Sequence, residues 1–327
     1  MFTNENLPLL AAELVKIEQL LGQLSPGAIT SRLSLQTRKR VLEEKIQHLA
    51  EQPKTAAFVQ LLFTGGPVLE SLAIDAAFAS AAILSYQEIV TNETAVRQGG
   101  LGSRGLPPKA AVDNSRFYIT GVARGSFGFT LEERVERGSL FDTNLSEVVA
   151  GVTAKIIKFT SSTDDEYDTF IQGIDKRVFS SFRGFFKLLH ESDAQMKVVG
   201  RRTGSQFDAV SIDRAFVRTE TTIVIDHERR MTGRLLGLTV TDGTFDFLSN
   251  NGIAYSGKLA PVFSSEYKDQ VGRLEFAFQL GEEYSSHIIR RTTKRGAAAP
   301  HEAFFLISLL PASNPLNPDT AVWEPIN

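Results

Sequence analysis

Thr221–Ala260 reads TTIVIDHERRMTGRLLGLTVTDGTFDFLSNNGIAYSGKLA. Short β-prone runs stand out in it: Thr222–Asp226, Gly233–Val240, Thr244–Leu248 and Ile253–Leu259. They recur at roughly ten-residue intervals, the pattern of short strands joined by turns. Asp242-Gly243 and Asn250-Asn251-Gly252 supply the turn chemistry. The pattern continues through Arg273–Leu280, His287–Thr292 and Phe304–Leu309. Residues 221–310 are therefore expected to form a small β-barrel or sandwich. Beyond them, Pro311, Pro315, Pro318 and Pro325 mark residues 311–327 as an extended tail.

Upstream of Thr221 the apolar period is helical. Leu145, Val148, Val149, Val152, Ile156 and Phe159 form one stripe. Tyr167, Ile171, Ile174, Val178, Phe182, Phe185 and Leu189 follow at steps of four and three and predict one long helix. Asp164-Asp165-Glu166 opens it and His190 lies near its end, both favourable to the helix dipole. Ala57–Phe63 reads as a buried strand, and Asp75 as the N-cap of a helix reaching about Val96. Arg116–Glu133 reads as a β-hairpin. Met196–Gly200 and Ser205–Ala209 read as strands, with a short helix starting near Ser211. At the N-terminus, Leu10, Leu14, Ile17, Leu21 and Leu24 make a stripe over residues 5–24. Leu35, Leu42, Ile46 and Leu49 make a second over 29–51. Residues 1–52 are thus expected to be a helical hairpin and an oligomerisation element, residues 53–220 a mixed α+β domain, and the whole chain an α+β protein.

The composition sets limits. The chain has 327 residues, no cysteine and a net charge of −3. Without cysteine there is no disulfide, thiolate metal site or cysteine nucleophile. No histidine sits at H-E-x-x-H spacing, so no metal or cofactor is expected. The N-terminus MFTNENLPLL lacks a basic leader, and no apolar run approaches the ~18 residues of a membrane span. The expectation is a cytoplasmic protein with no membrane partner.

Two regions carry candidate chemistry. Gln98–Asn114 is glycine-rich, and Gly100, Gly102 and Gly105 fit G-x-G-x-x-G. A dinucleotide site needs a strand before the glycines and a helix directly after them. Here a helix precedes and Leu106-Pro107-Pro108 follows, so the context fails. The loop stays a candidate anion or ligand site through Arg97, Gly100, Gly102, Arg104, Lys109 and Arg116. Ser126 lies in a strand-to-strand turn and does not fit a nucleophile elbow. The second region is basic, with clusters at Arg201 and Arg202, at Arg229 and Arg230, and at Arg290, Arg291, Lys294 and Arg295. On a β-barrel these are candidates for nucleic-acid binding. Alternation sends neighbours to opposite faces, so only part of each cluster can share a surface.

Ser115–Phe129, SRFYITGVARGSFGF, with Arg104–Pro107 upstream, is similar to a segment of a group of bacterial proteins with no established activity. Gly233–Gly237, Phe245-Asp246-Phe247 and Gly257 resemble their C-terminal β-module. The resemblance implies no catalytic residue. Such proteins often accompany phage-defence genes, which suggests a defence role by association only. The leading expectation is a non-enzymatic assembly or partner-binding protein that self-associates or binds another protein. A nucleic-acid-binding accessory protein is the alternative, and an enzyme with a site under residues 98–114 is a second one.

Overall fold

Residues 56–69, 72–98, 106–123, 127–134, 144–200, 204–239, 242–261, 263, 278–312, 320 and 322–326 are described by the computed structural model, with 17, 21, 35–41 and 43 of the N-terminal segment. The chain is an α+β protein with two main sheets. The expected N-terminal hairpin falls largely outside the described residues, as do Leu10, Leu14 and Leu24. The described residues of that segment are helical, with Ile17 buried and Leu21 half-buried.

The first sheet begins at β1 (Phe58–Gly65), where Val59, Leu61 and Phe63 alternate inward. Two minor strands, β2 (Val68–Leu69) and β3 (Ala73–Ile74), pair with each other. Helix α1 (Ala76–Arg97) starts at Asp75, whose carboxylate accepts the Phe78 N–H at 2.8 Å. After α2 (Lys109–Asn114), strands β4 (Phe117–Ala123) and β5 (Phe127–Glu133) form the expected hairpin. Strands β6 (Ala194–Gly200) and β7 (Gly204–Phe207) complete an antiparallel sheet in the order β4-β5-β1-β6-β7.

Helix α3 (Asn144–Ser161) buries the expected stripe. The long helix predicted over Tyr167–Leu189 is two helices, α4 (Asp164–Gln172) and α5 (Lys176–Glu191). Gly173 closes α4, and the Asp175 carboxylate caps α5 by accepting the Arg177 N–H at 2.9 Å. The apolar spacing survives the break because Ile171 and Ile174 are both buried. A capping box of Thr163 and Glu166 fixes the start of α4. Helix α6 (Ala209–Thr221) then closes a core rich in phenylalanine, with Phe159 against Phe170, Phe182 and Phe186.

Helix α6 passes straight into β8 (Thr222–Thr239) with no linking residue. The run expected at 222–226 and the described part of the run expected at 233–240 belong to this one strand. Its charged middle, Asp226–Arg230, stays in an unbroken ladder with β11 (Glu283–Arg295). Strands β9 (Thr244–Ser249), β10 (Ala254–Leu259) and β12 (His301–Pro311) follow. The pairings run β8–β9–β10–β12–β11 and return to β8; only β10–β12 is parallel. Met231, Leu235, Phe245, Phe247, Ile288 and Leu306 fill this second core. Most of the strand expected at 273–280 lies outside the described residues, and 278–280 are not strand. The C-terminal segment is more than an extended tail: Glu324–Pro325 pairs with Glu228 and His227 of β8 as β13.

Candidate functional site

Strand alternation divides the basic cluster of β11 between two faces. On the inner face, Val224 and Asp226 of β8 are buried, 8% and 4% exposed. The Arg291 guanidinium grips Asp226 with two bonds, 2.8 and 2.7 Å. It also donates to the Ile174 carbonyl and lies 3.6 Å from the Asp175 carboxylate. Arg295 holds Asp168 by two bonds, 2.7 and 2.9 Å, and reaches Asp164 at 3.4 Å. These carboxylates push the Arg295 pKa above its ordinary value. Arg218 bonds to Asp164 at 2.7 Å and, with Arg295, holds that carboxyl below the usual range. The Tyr167 hydroxyl meets Thr222 at 3.1 Å, and burial pushes its pKa up to about 12. Arg291 and Arg295 therefore join the strands to α4 and the loop before α5.

The opposite face is open. Ile223 and Ile225 are 56% and 42% exposed. The register places Lys294 opposite Ile223, Thr292 opposite Ile225, Arg290 opposite His227 and Ile288 opposite Arg229. Lys294, Arg290, His227 and Arg229 thus share one face with two exposed isoleucines. The same face runs into the second core through Met231 and Ile288. Glu302 of β12 lies 3.7 Å from Arg290.

The C-terminal segment runs along the edge of β8 away from β11, and its Trp323 reaches over this face. The Arg290 guanidinium lies over the Trp323 ring, 4.9 Å from its centroid. Trp323 also meets Tyr255 and Phe304, each at 6.0 Å between centroids. Arg229 donates to the Thr320 carbonyl at 3.2 Å. Behind the ladder, His287 pairs with Glu228 at 2.8 Å, and burial pushes the imidazole pKa down against the opposing pull of that carboxylate.

No family model, no curated protein and no solved structure matches the chain.

Arg97 and Arg116 of the anion-loop candidates line one cleft of about 1030 Å³, joined there by Arg134. Pro261 contributes from the β-rich half of the chain. Acidic side chains balance the arginines: Glu147 is 3.6 Å from Arg97 and Asp113 is 3.3 Å from Arg116. Lys109 is exposed and does not line the cleft. Gly100, Gly102 and Arg104 lie outside the described residues, as do Arg201 and Arg202. Among the described residues no cluster of metal-ligating side chains occurs, and no helix is long and apolar enough to cross a membrane.

Sequence reasoning missed Arg229, His227, Ile223, Ile225 and Trp323 as neighbours of Arg290 and Lys294. The first four were within reach. Thr222–Asp226 alternates between buried and exposed, and the alternation places His227 and Arg229 beside Ile223 and Ile225 once Thr222–Thr239 is read as one strand. Trp323 carried no such signal, because a proline-rich tail does not reveal where it folds back.

Proposed function

We propose that this chain is a non-enzymatic accessory protein that binds single-stranded nucleic acid on the open face of β8 and β11. The observation that supports it is the sorting of side chains by the register: Lys294, Arg290 and Arg229 lie beside exposed Ile223 and Ile225. Basic groups that follow a backbone, interleaved with flat or apolar surface, are what a single strand requires. The five-strand circuit, with its single parallel pair between the third and fifth strands, has the strand order of the small oligonucleotide-binding (OB) barrel. That likeness does not single out the β8–β11 face, because OB barrels bind on their second and third strands, and a strand order by itself carries no function. Arg291 and Arg295 have no part in the contact, being held by Asp226 and Asp168.

The test is anisotropy of the full chain with a labelled single strand of about 16 nucleotides, over about 50 to 200 mM salt. Binding should weaken with salt, by about 0.7 in the logarithmic slope per phosphate contacted. The double variant Arg290→Glu with Lys294→Glu should lose at least about tenfold in affinity. An unbound wild type at the lowest salt, or a folded variant that binds as well as wild type, would sink the reading.

A second reading, assembly or partner binding, is favoured by a different observation. Strand β4 is the last strand of its sheet, and Tyr118, Ile119 and Val122 are exposed on it. Ile119 and Val122 stand opposite Leu131 and Phe129. An apolar edge strand is a ready template for pairing with another chain. Val122→Lys should then lower the mass seen by light scattering; a monomer before and after removes this reading.

A further inference from the structure

Trp323, the single tryptophan of the chain, sits on groups that suit a planar unsaturated ring. A guanidinium lies over its ring, and two further aromatic rings, Tyr255 and Phe304, lie beside it. Cation–π contact and aromatic packing of this kind accept a nucleobase as readily as an indole. We infer that Trp323 occupies a base-stacking subsite, and that residues 320–326 act as an internal competitor for the strand bound on this face. The inference rests on the nucleic-acid reading above and adds a subsite and its regulation to it.

The strand pairing of this segment is short. Strand β13 has only two paired residues. One is Pro325, which has no N–H to give to a ladder. The other, Glu324, stands directly opposite Glu228, a like-charge pair that weakens strand pairing. Further bonds hold its ends: the Ile326 N–H to the Asp226 carbonyl at 3.0 Å, Lys176 to the Ile326 carbonyl at 2.8 Å, the Thr320 N–H to the Arg230 carbonyl at 2.9 Å, and the Arg230 N–H to the Thr320 hydroxyl at 2.9 Å. The segment also engages two basic groups of the open face. Arg290 is stacked on Trp323, and Arg229 donates to the Thr320 carbonyl. Lifting residues 320–326 releases Arg229 from the Thr320 carbonyl, uncovers Arg290, which keeps Glu302 at 3.7 Å, and opens one ring site at the same moment. A nucleic-acid strand that displaces the segment therefore gains phosphate and base contacts together.

The experiment compares the full chain, Trp323→Ala, Glu324→Gln and a chain ending at Asp319 by anisotropy with the same labelled strand. Thermal melting establishes that each variant is folded. Trp323→Ala and the shortened chain should bind about tenfold more tightly, the scale of one stacked base. Glu324→Gln removes the like-charge pair, tightens the segment and should bind several-fold more weakly. Plain electrostatics predicts the reverse for that variant, since it removes a negative charge from the protein. Trp323 reports on its own release: its quenching by acrylamide should rise when the full chain is saturated with the strand. Weaker binding by Trp323→Ala, with Trp323 protected on saturation, would make the indole a direct base contact and overturn the competitor. Unchanged affinity across all variants, with the full chain binding, would overturn the inference and leave the nucleic-acid reading standing. Failure of every form to bind would overturn both.

Discussion

The Arg291 guanidinium shows how one residue changes meaning between sequence and structure. In the sequence it belongs to a basic cluster and reads as a phosphate contact. In the fold it is 5% exposed, doubly bonded to the equally buried Asp226 and bonded to the Ile174 carbonyl. A buried pair of this kind contributes little beyond a well-packed apolar pair, but breaking it strands a charge. Arg291→Leu strands the buried Asp226 carboxylate and should destabilise the protein by about 3–5 kcal/mol, read from the midpoint of urea unfolding. A loss below about 1 kcal/mol would mean that water reaches the site. Gly128 is a second case. A Cβ there would lie 2.1 Å from the Leu61 carbonyl oxygen of β1, so Gly128→Ala must push two paired strands apart. The Gly-Ser-Phe-Gly stretch that superficially suggests a nucleophile thus contains a glycine required by strand contact. Its expected signature is a fall in melting temperature of about 10 °C or more; an unchanged melt would show that β5 can shift freely.

At the scale of elements, periodicity told which face each segment buries and was silent on where the backbone breaks. The steps of four and three from Tyr167 to Leu189 persist across the Gly173–Asp175 corner because both sides face one core. Conversely, Asp226–Arg230 looked like a gap between two strands, yet the ladder with β11 runs through it. Charge there is tolerated because Asp226, Glu228 and Arg229 find partners on neighbouring segments, information absent from local sequence. The His287–Glu228 pair is one such partnership, and it has a consequence for pH. Burial lowers the folded-state pKa of His287, with Glu228 opposing and Arg230 reinforcing the shift. The unfolded chain, with a histidine pKa near 6.5, therefore takes up a proton more readily than the folded one. Stability from this group is full above that value and falls as the pH drops through it, by up to about 1.4 kcal/mol per pH unit. The melting temperature of wild type should drop more between pH 7.5 and about 5.5 than that of His287→Gln. Parallel declines in the two proteins would show that His287 is solvated enough to titrate normally.

For the whole molecule, the sequence marks a change of pattern near Thr221, and the fold makes that point a junction without a linker. Helix α6 ends at Thr221 and β8 begins at Thr222. Val224 of β8 belongs to the helical core, so the first core reaches into the second half of the chain. Around it, Arg291 binds Asp226 and the Ile174 carbonyl, Arg295 binds Asp168, Arg218 binds Asp164, and the Tyr167 hydroxyl meets Thr222. The contacts that cross between the halves, Arg291 to the Ile174 carbonyl, Arg295 to Asp168 and Tyr167 to Thr222, are lost if one half unfolds alone. The two halves should therefore unfold together. Trp323 is packed on the β-rich half, so its fluorescence follows that half, while far-UV circular dichroism is dominated by helices of the other. In urea the two signals should give coincident midpoints for wild type, the mark of a single cooperative transition. Arg291→Lys weakens the coupling without touching either core, and its two curves should separate. Two separate transitions in wild type would instead mean that the halves are independent domains, joined by a contact too weak to couple them.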